Sequence, residues 1–365
     1  MNILHVIADL EIGGAQKMLT ELLPYQSISN NKISLLILGA YNQNFVDIVR
    51  DSGINVITAD KKSIYSLSSF FFLFKHIDKY DVFHIHLFPM LYYYAFLKLL
   101  RPKLVLVYTE HNTHNKRRNR KYLRRLEKFI YSQYAKICCI SVETKNNLLN
   151  WLYLGKISEK KENQYEVIYN GIDINKYAKA IPVGLEYCAG KKVIMMVSRF
   201  SLQKDHETLI KAFAKLCEKE NDIRLVFVGD GVNKASMQKL TNELHLTNYT
   251  YFLGNRNDIP SLMKCAYIGV QSSKWEGFGL TAVEFMASGR PIVAANVHGL
   301  SSVVKGGGIL FQQGQVQELC DAIYLLLHDK SYYDSIVKMG LKKSNNYSIE
   351  FTANNYINLY RELVK

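Results

Sequence analysis

Short apolar runs alternate with segments of helix length along the first half of the chain. A parallel sheet with crossover helices produces this alternation, because each strand is followed by a connection that returns to the same edge of the sheet. The pattern therefore predicts a doubly wound α/β domain over residues 1–172. Its strands are predicted at residues 3–7, 33–38, 56–58, 82–86, 104–108, 137–140 and 166–168.

The alternation lapses over residues 173–190, where a proline and two glycines indicate a linker. It resumes over residues 191–348 and predicts a second domain of the same kind. Residues 349–365 have the period of a helix, and we expect this helix to pack back on the first domain. Open α/β sheets bind ligands at the carboxyl ends of their strands, so the two domains are expected to face each other across a cleft. The strands of the second domain are predicted at residues 192–198, 224–228, 249–253, 266–271 and 291–295.

Composition favours a folded protein over a disordered or fibrous one, since 48% of the 365 residues are hydrophobic and 21% are charged. The N-terminus has no basic region typical of a secretory signal. The longest apolar stretch, residues 87–100, is too short for a membrane span. The six cysteines fit no zinc-binding spacing. We therefore expect a cytoplasmic protein in a reducing compartment.

The net charge of +14 is unevenly distributed. The segment from Lys116 to Lys128 holds eight basic residues and a single acid, Glu127, interleaved with apolar residues. This pattern predicts a basic amphipathic helix, which attracts anionic membrane surfaces; the alternative is a solvated helix face in a basic protein. Binding to nucleic acid is not expected, because no nucleic-acid motif accompanies the charge.

Two carboxylates flank a glycine turn between Ser273 and Glu284. Gly277 and Gly279 would let the backbone approach a ligand closely, and the predicted helix start at Leu280 would offer unpaired amides to a phosphate. A carboxylate can accept two hydrogen bonds, which suits the vicinal diol of a ribose or a hexose. Glu276 and Glu284 are therefore predicted to bind a nucleotide sugar.

Three further groups of residues follow predicted strands. Gly13 and Gly14 open a helix, although their spacing does not match the dinucleotide fingerprint. Arg199 and Lys204 are either solvated cations or a clamp for a diphosphate that needs no metal. His111 is either a substrate contact or a structural histidine.

We interpret His84, His86 and His114 as structural residues. No carboxylate accompanies His84 and His86 at a spacing typical of a metal site, so no metal is expected.

Together these segments resemble the retaining GT-B glycosyltransferases of family 4, the "glycosyl transferases group 1" enzymes. The resemblance covers nearly the whole chain, and its segments stand in the family's order. One departure is the loop after Gly299, which has Ser301 and Ser302 where similar sequences carry a glutamate. The most specific segments are residues 13–15, 170–173, 197–199 with Lys204, 228–231 and 276–284.

The resemblance implies roles for individual residues. Glu284 would bind the ribose of the nucleotide, and Glu276 would bind the donor sugar. Arg199 and Lys204 would neutralise the leaving diphosphate, and His111 would contact the donor sugar near its reacting face. Asn255 and Arg256 would lie near the base. The remaining implied donor-binding positions are Gly13, Gly14, Gly277, Phe278, Gly279, Leu280 and Thr281.

The implied fold is GT-B, with two Rossmann-like domains. The implied function is retaining transfer of a hexose from a nucleotide-diphosphate sugar, with UDP favoured, and neither metal nor other cofactor is implied. The expected acceptor is a growing lipid-linked glycan such as capsule, exopolysaccharide or O-antigen, at the inner face of the cytoplasmic membrane. Alternatives are an epimerase, hydrolase or phosphorylase on the same fold, and a catalytically inactive scaffold.

Overall fold

The computed structural model describes residues 1–11, 13–28, 31–59, 64–113 and 116–364, without the side chains of residues 67, 78, 116 and 187. His114 and the last residue of the predicted C-terminal helix, Lys365, lie outside the described residues. The chain divides into two compact units, one formed by residues 1–171 with 349–365 and the other by residues 172–348.

The first unit contains a seven-stranded parallel sheet with the strand order β3-β2-β1-β4-β5-β6-β7. All seven predicted strands are confirmed, although β5 begins and ends two residues later than predicted. Their near-continuous burial is typical of parallel strands covered on both faces. The strands are β1 Asn2–Ile7, β2 Lys32–Ile37, β3 Asn55–Thr58, β4 Val82–His86, β5 Leu106–Glu110, β6 Lys136–Cys139 and β7 Tyr165–Val167.

The helices of this part of the chain follow the strands in the predicted alternation. They are α1 Gly14–Ser27, α2 Gln43–Asp51, α3 Leu67–Phe74, α4 Met90–Leu100, α5 Leu123–Ser132, α6 Val142–Tyr153 and α7 Glu159–Glu162, with 3-10 helices at Ile77–Lys79 and Lys116–Asn119.

The second unit contains a six-stranded parallel sheet with the order β10-β9-β8-β11-β12-β13. The five predicted strands are confirmed, and the sequence pattern missed a sixth, β13. That strand has only three residues and lies directly after Gly306, Gly307 and Gly308, so it shows little of the apolar run that marks a buried strand. The strands are β8 Lys192–Val197, β9 Ile223–Val228, β10 Thr250–Phe252, β11 Ile268–Gln271, β12 Ile292–Ala295 and β13 Ile309–Phe311.

The segment expected to be a linker is partly helical. Residues Ile174–Ala178 form α8, which begins where the Asp173 carboxylate accepts a hydrogen bond from the Lys176 amide (2.9 Å). It packs on α11 and α12 of the second unit. The helices here are α8, α9 His206–Cys217, α10 Lys234–Glu243, α11 Ile259–Cys265, α12 Leu280–Ala287, α13 Ser301–Val304, α14 Val316–His328 and α15 Lys330–Ser344, with 3-10 helices at Glu186–Cys188, Leu202–Lys204 and Asn345–Tyr347.

The last helix, α16 Ile349–Val364, packs on α1 within the first unit. Its Tyr356 and Tyr360 side chains are completely buried there. Across the described ranges, the chain forms no helix long and apolar enough to cross a bilayer.

The prediction of one basic amphipathic helix between Lys116 and Lys128 is wrong. The segment forms a 3-10 helix, Lys116–Asn119, and then breaks before α5. Arg117 lies 2.7 Å from the buried Glu127, and Arg118 lies 3.1 Å from the buried Glu110. Two of the basic side chains are therefore counter-ions of buried carboxylates, and this pairing turns the first part of the segment toward the protein.

Candidate functional site

Glu276 follows β11 and is mostly buried. One of its carboxylate oxygens, Oε1, accepts hydrogen bonds from three side chains: Lys204 Nζ at 2.5 Å, Ser273 Oγ at 2.7 Å and Gln271 Nε2 at 2.8 Å. Gln271 and Ser273 are themselves buried. The Glu276 carboxylate is therefore fixed in orientation, and its charge is balanced by Lys204.

Sequence reasoning missed Gln271 and Ser273 as residues of this site. The available signal was their position five and three residues before Glu276, at the end of a predicted strand.

Lys204 lies at the end of the 3-10 helix that follows β8, and its side chain is 20% exposed. An ammonium group has three donors, and the bond to Glu276 uses one of them. Arg199, in the same loop, is exposed and forms no ion pair with any residue in the described ranges. This loop therefore carries one cation tied to a carboxylate and a second that faces solvent.

Helix α12 begins at Leu280, as predicted. Its N-cap residue, Gly279, has φ +92°, and a Cβ there would lie 2.5 Å from Leu300 Cδ1. A glycine is therefore required at the turn. The amides of Leu280 and Thr281 are among those that an α-helix leaves without an intrahelical partner.

The glycine turn before α12, residues 277–279, which we call the α12 turn, is packed on one side. Phe278 is buried with its ring edge-on to Tyr347, at a centroid distance of 5.4 Å, and it directly follows Gly277. Glu284 lies one turn into α12 and is almost fully buried.

The loop that contains Gly299 packs closely against the backbone at Glu276. Gly299 has φ +83°, and a Cβ there would lie 2.4 Å from the Glu276 carbonyl oxygen. This loop leads into α13, where Ser301 and Ser302 stand at the departure from the family pattern. Gly299 is a third residue, after Gln271 and Ser273, that the sequence motifs did not connect to Glu276.

Asn255 and Arg256 follow β10 in an exposed loop. The Arg256 guanidinium binds the Asp258 carboxylate through two hydrogen bonds, Nε to Oδ1 at 2.8 Å and Nη2 to Oδ2 at 2.6 Å. This pairing orients the guanidinium within its own loop.

In the first unit, Gly13 is the N-cap of α1 and Gly14 is its first residue, which confirms the predicted helix opening. A Cβ at Gly13 would lie 2.3 Å from Gln16 Oε1. The Gln16 amide is in turn held by a 2.9 Å hydrogen bond to Asp9. The glycine pair therefore lets a polar side chain fold back over the helix start.

His111 directly follows β5 and is mostly buried. Its Nε2 lies 3.2 Å from His86 Nδ1, and its Nδ1 has no hydrogen-bond partner among the described residues. Burial lowers the pKa of His111 to about 4, so the ring is neutral near pH 7.

His86 belongs to a buried group with His5 and His84, whose ligand atoms all lie within 4.8 Å of one another. That spacing could admit a metal ion. Yet His84 already pairs with the hydroxyls of Tyr360 (2.5 Å) and Thr109 (2.7 Å), and both His86 nitrogens face other imidazoles. The expectation of a metal-independent protein stays a prediction.

Two family models match the chain. The model "Glycosyltransferase Family 4" matches residues 12–176, and the model "Glycosyl transferases group 1" matches residues 185–343. They correspond to the first and second parallel sheets in chain order.

Several relatives match over more than half of the chain. An uncharacterized glycosyltransferase of Methanocaldococcus jannaschii, MJ1607, is 28% identical over 308 residues, covering 78% of this chain and 76% of that protein. The Escherichia coli UDP-Gal:alpha-D-GlcNAc-diphosphoundecaprenol alpha-1,3-galactosyltransferase is 28% identical over 284 residues, covering 74% of this chain and 72% of that protein.

Solved structures resemble the whole fold. Anabaena Alr3699/HepE in complex with UDP and glucose matches with a TM-score of 0.84 at 22% identity, covering 99% of this chain and 100% of that one. WaaG, a glycosyltransferase involved in lipopolysaccharide biosynthesis, matches with a TM-score of 0.74 at 13% identity, covering 98% and 99%. With the two family models and two parallel α/β units, these matches identify the chain as a glycosyltransferase of the GT-B fold and of the family 4 type.

Proposed function

We propose that this glycosyltransferase moves a hexose from a UDP-sugar to a growing, lipid-linked glycan of the capsule, exopolysaccharide or O-antigen kind, with retention at the anomeric carbon. The observation that carries the proposal is the Lys204–Glu276 pair, 2.5 Å apart, in the unit that also contains the α12 turn. In this assignment Glu276 holds hydroxyls of the donor sugar, and Lys204 faces the diphosphate.

The chemistry of the reaction accounts for this pairing. Breaking a glycosyl phosphate bond develops positive charge on the sugar and negative charge on the diphosphate, so positioned cations stabilise the transition state. Lys204 retains two donors beyond its bond to Glu276, and the exposed Arg199 can supply a planar guanidinium. Glu284 is assigned to the ribose diol. We therefore propose transfer without a metal ion.

Two relatives support the choice of donor and acceptor. The E. coli relative is named for a UDP-galactose donor and a diphosphoundecaprenol-linked acceptor, and the HepE structure contains UDP and glucose.

The donor assignment is tested by incubating the protein with UDP-, GDP- and ADP-hexoses and a lipid-linked acceptor. We expect transfer from the UDP-sugar, unchanged by EDTA. Lys204→Ala and Glu284→Gln should each reduce kcat/KM by about 30-fold or more, since a lost charged contact costs about 2 to 4 kcal/mol. Lys211→Ala, which removes an exposed lysine paired with Glu207, is the control.

Rates within about twofold for both variants would show that the site assignment is wrong. Free sugar or an altered nucleotide sugar formed without acceptor would instead support a hydrolase or an epimerase.

We also propose that the enzyme acts as a peripheral protein on the cytoplasmic side of an anionic membrane. The surface involved is smaller than the sequence predicted, because Arg117 and Arg118 are internal counter-ions. On and just before α5, three exposed apolar side chains alternate with exposed basic ones, a pattern typical of interfacial helices. We call this surface the α5 face; it consists of Lys121, Tyr122 (72% exposed), Arg125, Leu126 (41%), Lys128 and Phe129 (44%).

Vesicle sedimentation tests the α5 face. The protein should bind vesicles with anionic lipid, and replacing Lys121, Arg125 and Lys128 with Gln should weaken binding by about 100-fold, at about 1 kcal/mol for each charge. The matched control replaces Lys211, Lys215 and Lys219 of the second unit. Equal binding by both triple variants would contradict the assignment.

A further inference from the structure

Three imidazoles cross the first sheet as a hydrogen-bonded chain. His5 lies on β1, His86 ends β4 and His111 follows β5, and these three strands are neighbours. His5 Nδ1 lies 3.1 Å from His86 Nε2, and His86 Nδ1 lies 3.2 Å from His111 Nε2. His5 and His86 are completely buried. We call these three residues the imidazole chain.

Both ends of the imidazole chain have a nitrogen without a hydrogen-bond partner in the described part of the protein. At one end this is His111 Nδ1, and at the other it is His5 Nε2. The buried Gln26 amide lies beside the His5 ring but meets hydrogen-bond geometry with no described group. The chain therefore runs from a buried amide to the histidine assigned to the donor sugar.

The rings of the chain are neutral near pH 7. Burial lowers the pKa of His5 to about 3 and the pKa of His111 to about 4, and burial with neighbouring histidines lowers the pKa of His86 well below its ordinary value. A neutral imidazole has one N–H and one acceptor nitrogen. Each hydrogen bond in the chain thus needs a donor on one ring and an acceptor on the next.

Only two proton arrangements satisfy both hydrogen bonds. If His86 donates from Nδ1 to His111, then His5 donates from Nδ1 to His86, and all three rings have their proton on Nδ1. If His111 donates from Nε2 to His86, then His86 donates from Nε2 to His5, and all three protons lie on Nε2. The three rings must therefore share one tautomer.

The shared tautomer controls the atom that His111 presents. In the first arrangement His111 Nδ1 carries a hydrogen, and in the second it carries a lone pair. A sugar hydroxyl can accept from the one or donate to the other. The neighbouring Gln26 amide has both a donor and an acceptor, so it does not select between the two arrangements.

We propose that His86 and His5 are positioning residues that hold the His111 ring and set the tautomer, and hence the atom, that it presents at Nδ1. This inference rests on the proposed function and on the role that the family resemblance implies for His111, contact with the donor sugar. His86, which the sequence alone indicated to be a structural residue, would thus contribute to the reaction.

The tautomers are measured by long-range ¹H–¹⁵N NMR on the whole protein labelled in histidine, without donor. We expect His5, His86 and His111 to show the same tautomer, or the same ratio if both are populated. A mixture, with one ring in the opposite form from its neighbour, would overturn the proposal. Because this measurement needs no substrate, its result does not depend on whether the proposed donor is right.

Kinetics test the link to the reaction. His86→Phe should lower kcat/KM by about tenfold, and the double variant His86→Phe/His111→Ala should be no slower than His111→Ala alone. His84→Phe is the matched control, because His84 lies on the same strand and face but pairs with Tyr360 and Thr109. Additive losses, or an equal loss in the His84 variant, would show that His86 does not act through His111.

Discussion

The Glu276 carboxylate is held in place by side chains of the protein itself. Three donors from two segments converge on its Oε1: Gln271 and Ser273 at the end of β11, and Lys204, 72 residues away. A group held in this way loses little conformational freedom when it meets a sugar. The buried hydroxyl and amide should therefore affect transfer without touching the donor.

Removal of the Ser273 hydroxyl tests this. Ser273→Ala should lower kcat/KM for transfer by about fivefold to tenfold, because a hydrogen bond to a charged group contributes about 1 to 2 kcal/mol. Steady-state transfer assays provide the measurement. Ser344→Ala is the matched control, since its buried hydroxyl donates instead to the Leu341 carbonyl oxygen (2.9 Å). If both variants lose the same activity, Ser273 has no specific effect on Glu276.

At the residue scale, the sequence predicted candidate site residues but not the residues that they contact. Glu276, Glu284 and Lys204 were predicted because carboxylates and cations near glycine turns indicate particular chemistry. Gln271, Ser273 and Gly299 were not found, since their importance depends on which loops meet at Glu276. His86 was interpreted as structural because its hydrogen bond joins β4 to a residue after β5, His111, which the sequence does not show.

The α12 turn depends on a backbone conformation that side chains disfavour. Gly279→Ala would place a non-glycine residue at φ +92° and a Cβ 2.5 Å from Leu300. We expect a loss of about 1 to 3 kcal/mol of stability and weaker UDP binding. The backbone strain and the close contact with Leu300 would both distort the residues where α12 begins. Thermal unfolding with and without UDP measures both effects.

Gly289→Ala separates the two causes of that loss. Gly289 also has a positive φ, +69°, but its Cβ would come no closer than 4.0 Å to Leu341. We expect the Gly289→Ala variant to lose stability from backbone strain alone. UDP should still raise its melting temperature as much as it raises that of the wild type. A Gly279→Ala variant as stable as wild type, with the same UDP shift, would show that the turn does not need glycine.

The basic segment shows where a pattern of charges misleads. Apolar spacing and charge density predicted one amphipathic helix, yet the fully buried Glu127 accepts hydrogen bonds from Arg117, Trp151 and Tyr92. An unpaired buried carboxylate would be costly, so Arg117 turns inward. The sequence shows how many basic residues the segment has, but not which of them have a buried partner.

At the scale of the whole chain, the alternation of strands and helices predicted both parallel sheets. It succeeded because buried parallel strands are long apolar runs that local sequence can reveal. It failed at β13, a three-residue strand after three glycines, and at α8, a short helix whose formation depends on packing against α11 and α12.

The two units differ in the number of buried neutral histidines that the structure describes. The first contains His5, His84, His86 and His111, whose pKa values are all lowered chiefly by burial. In the second, burial and Lys204 lower the pKa of His206 to about 3. On acidification the unfolded chain takes up protons near pH 6.5 that these folded rings do not accept, which favours unfolding.

The free energy of unfolding of the first unit should therefore be greatest above about pH 7 and should decrease steadily toward pH 5. Each ring contributes about 2 kcal/mol over that range, and few carboxylates titrate in it. Urea unfolding followed by Trp151 fluorescence in a Trp275→Phe background reports on this unit. His84→Phe should flatten the pH dependence by about one proton, because one titrating ring is gone. Stability that is constant or rises between pH 7 and pH 5 would mean that the histidines accept protons in the folded state, and the imidazole chain would then not be neutral.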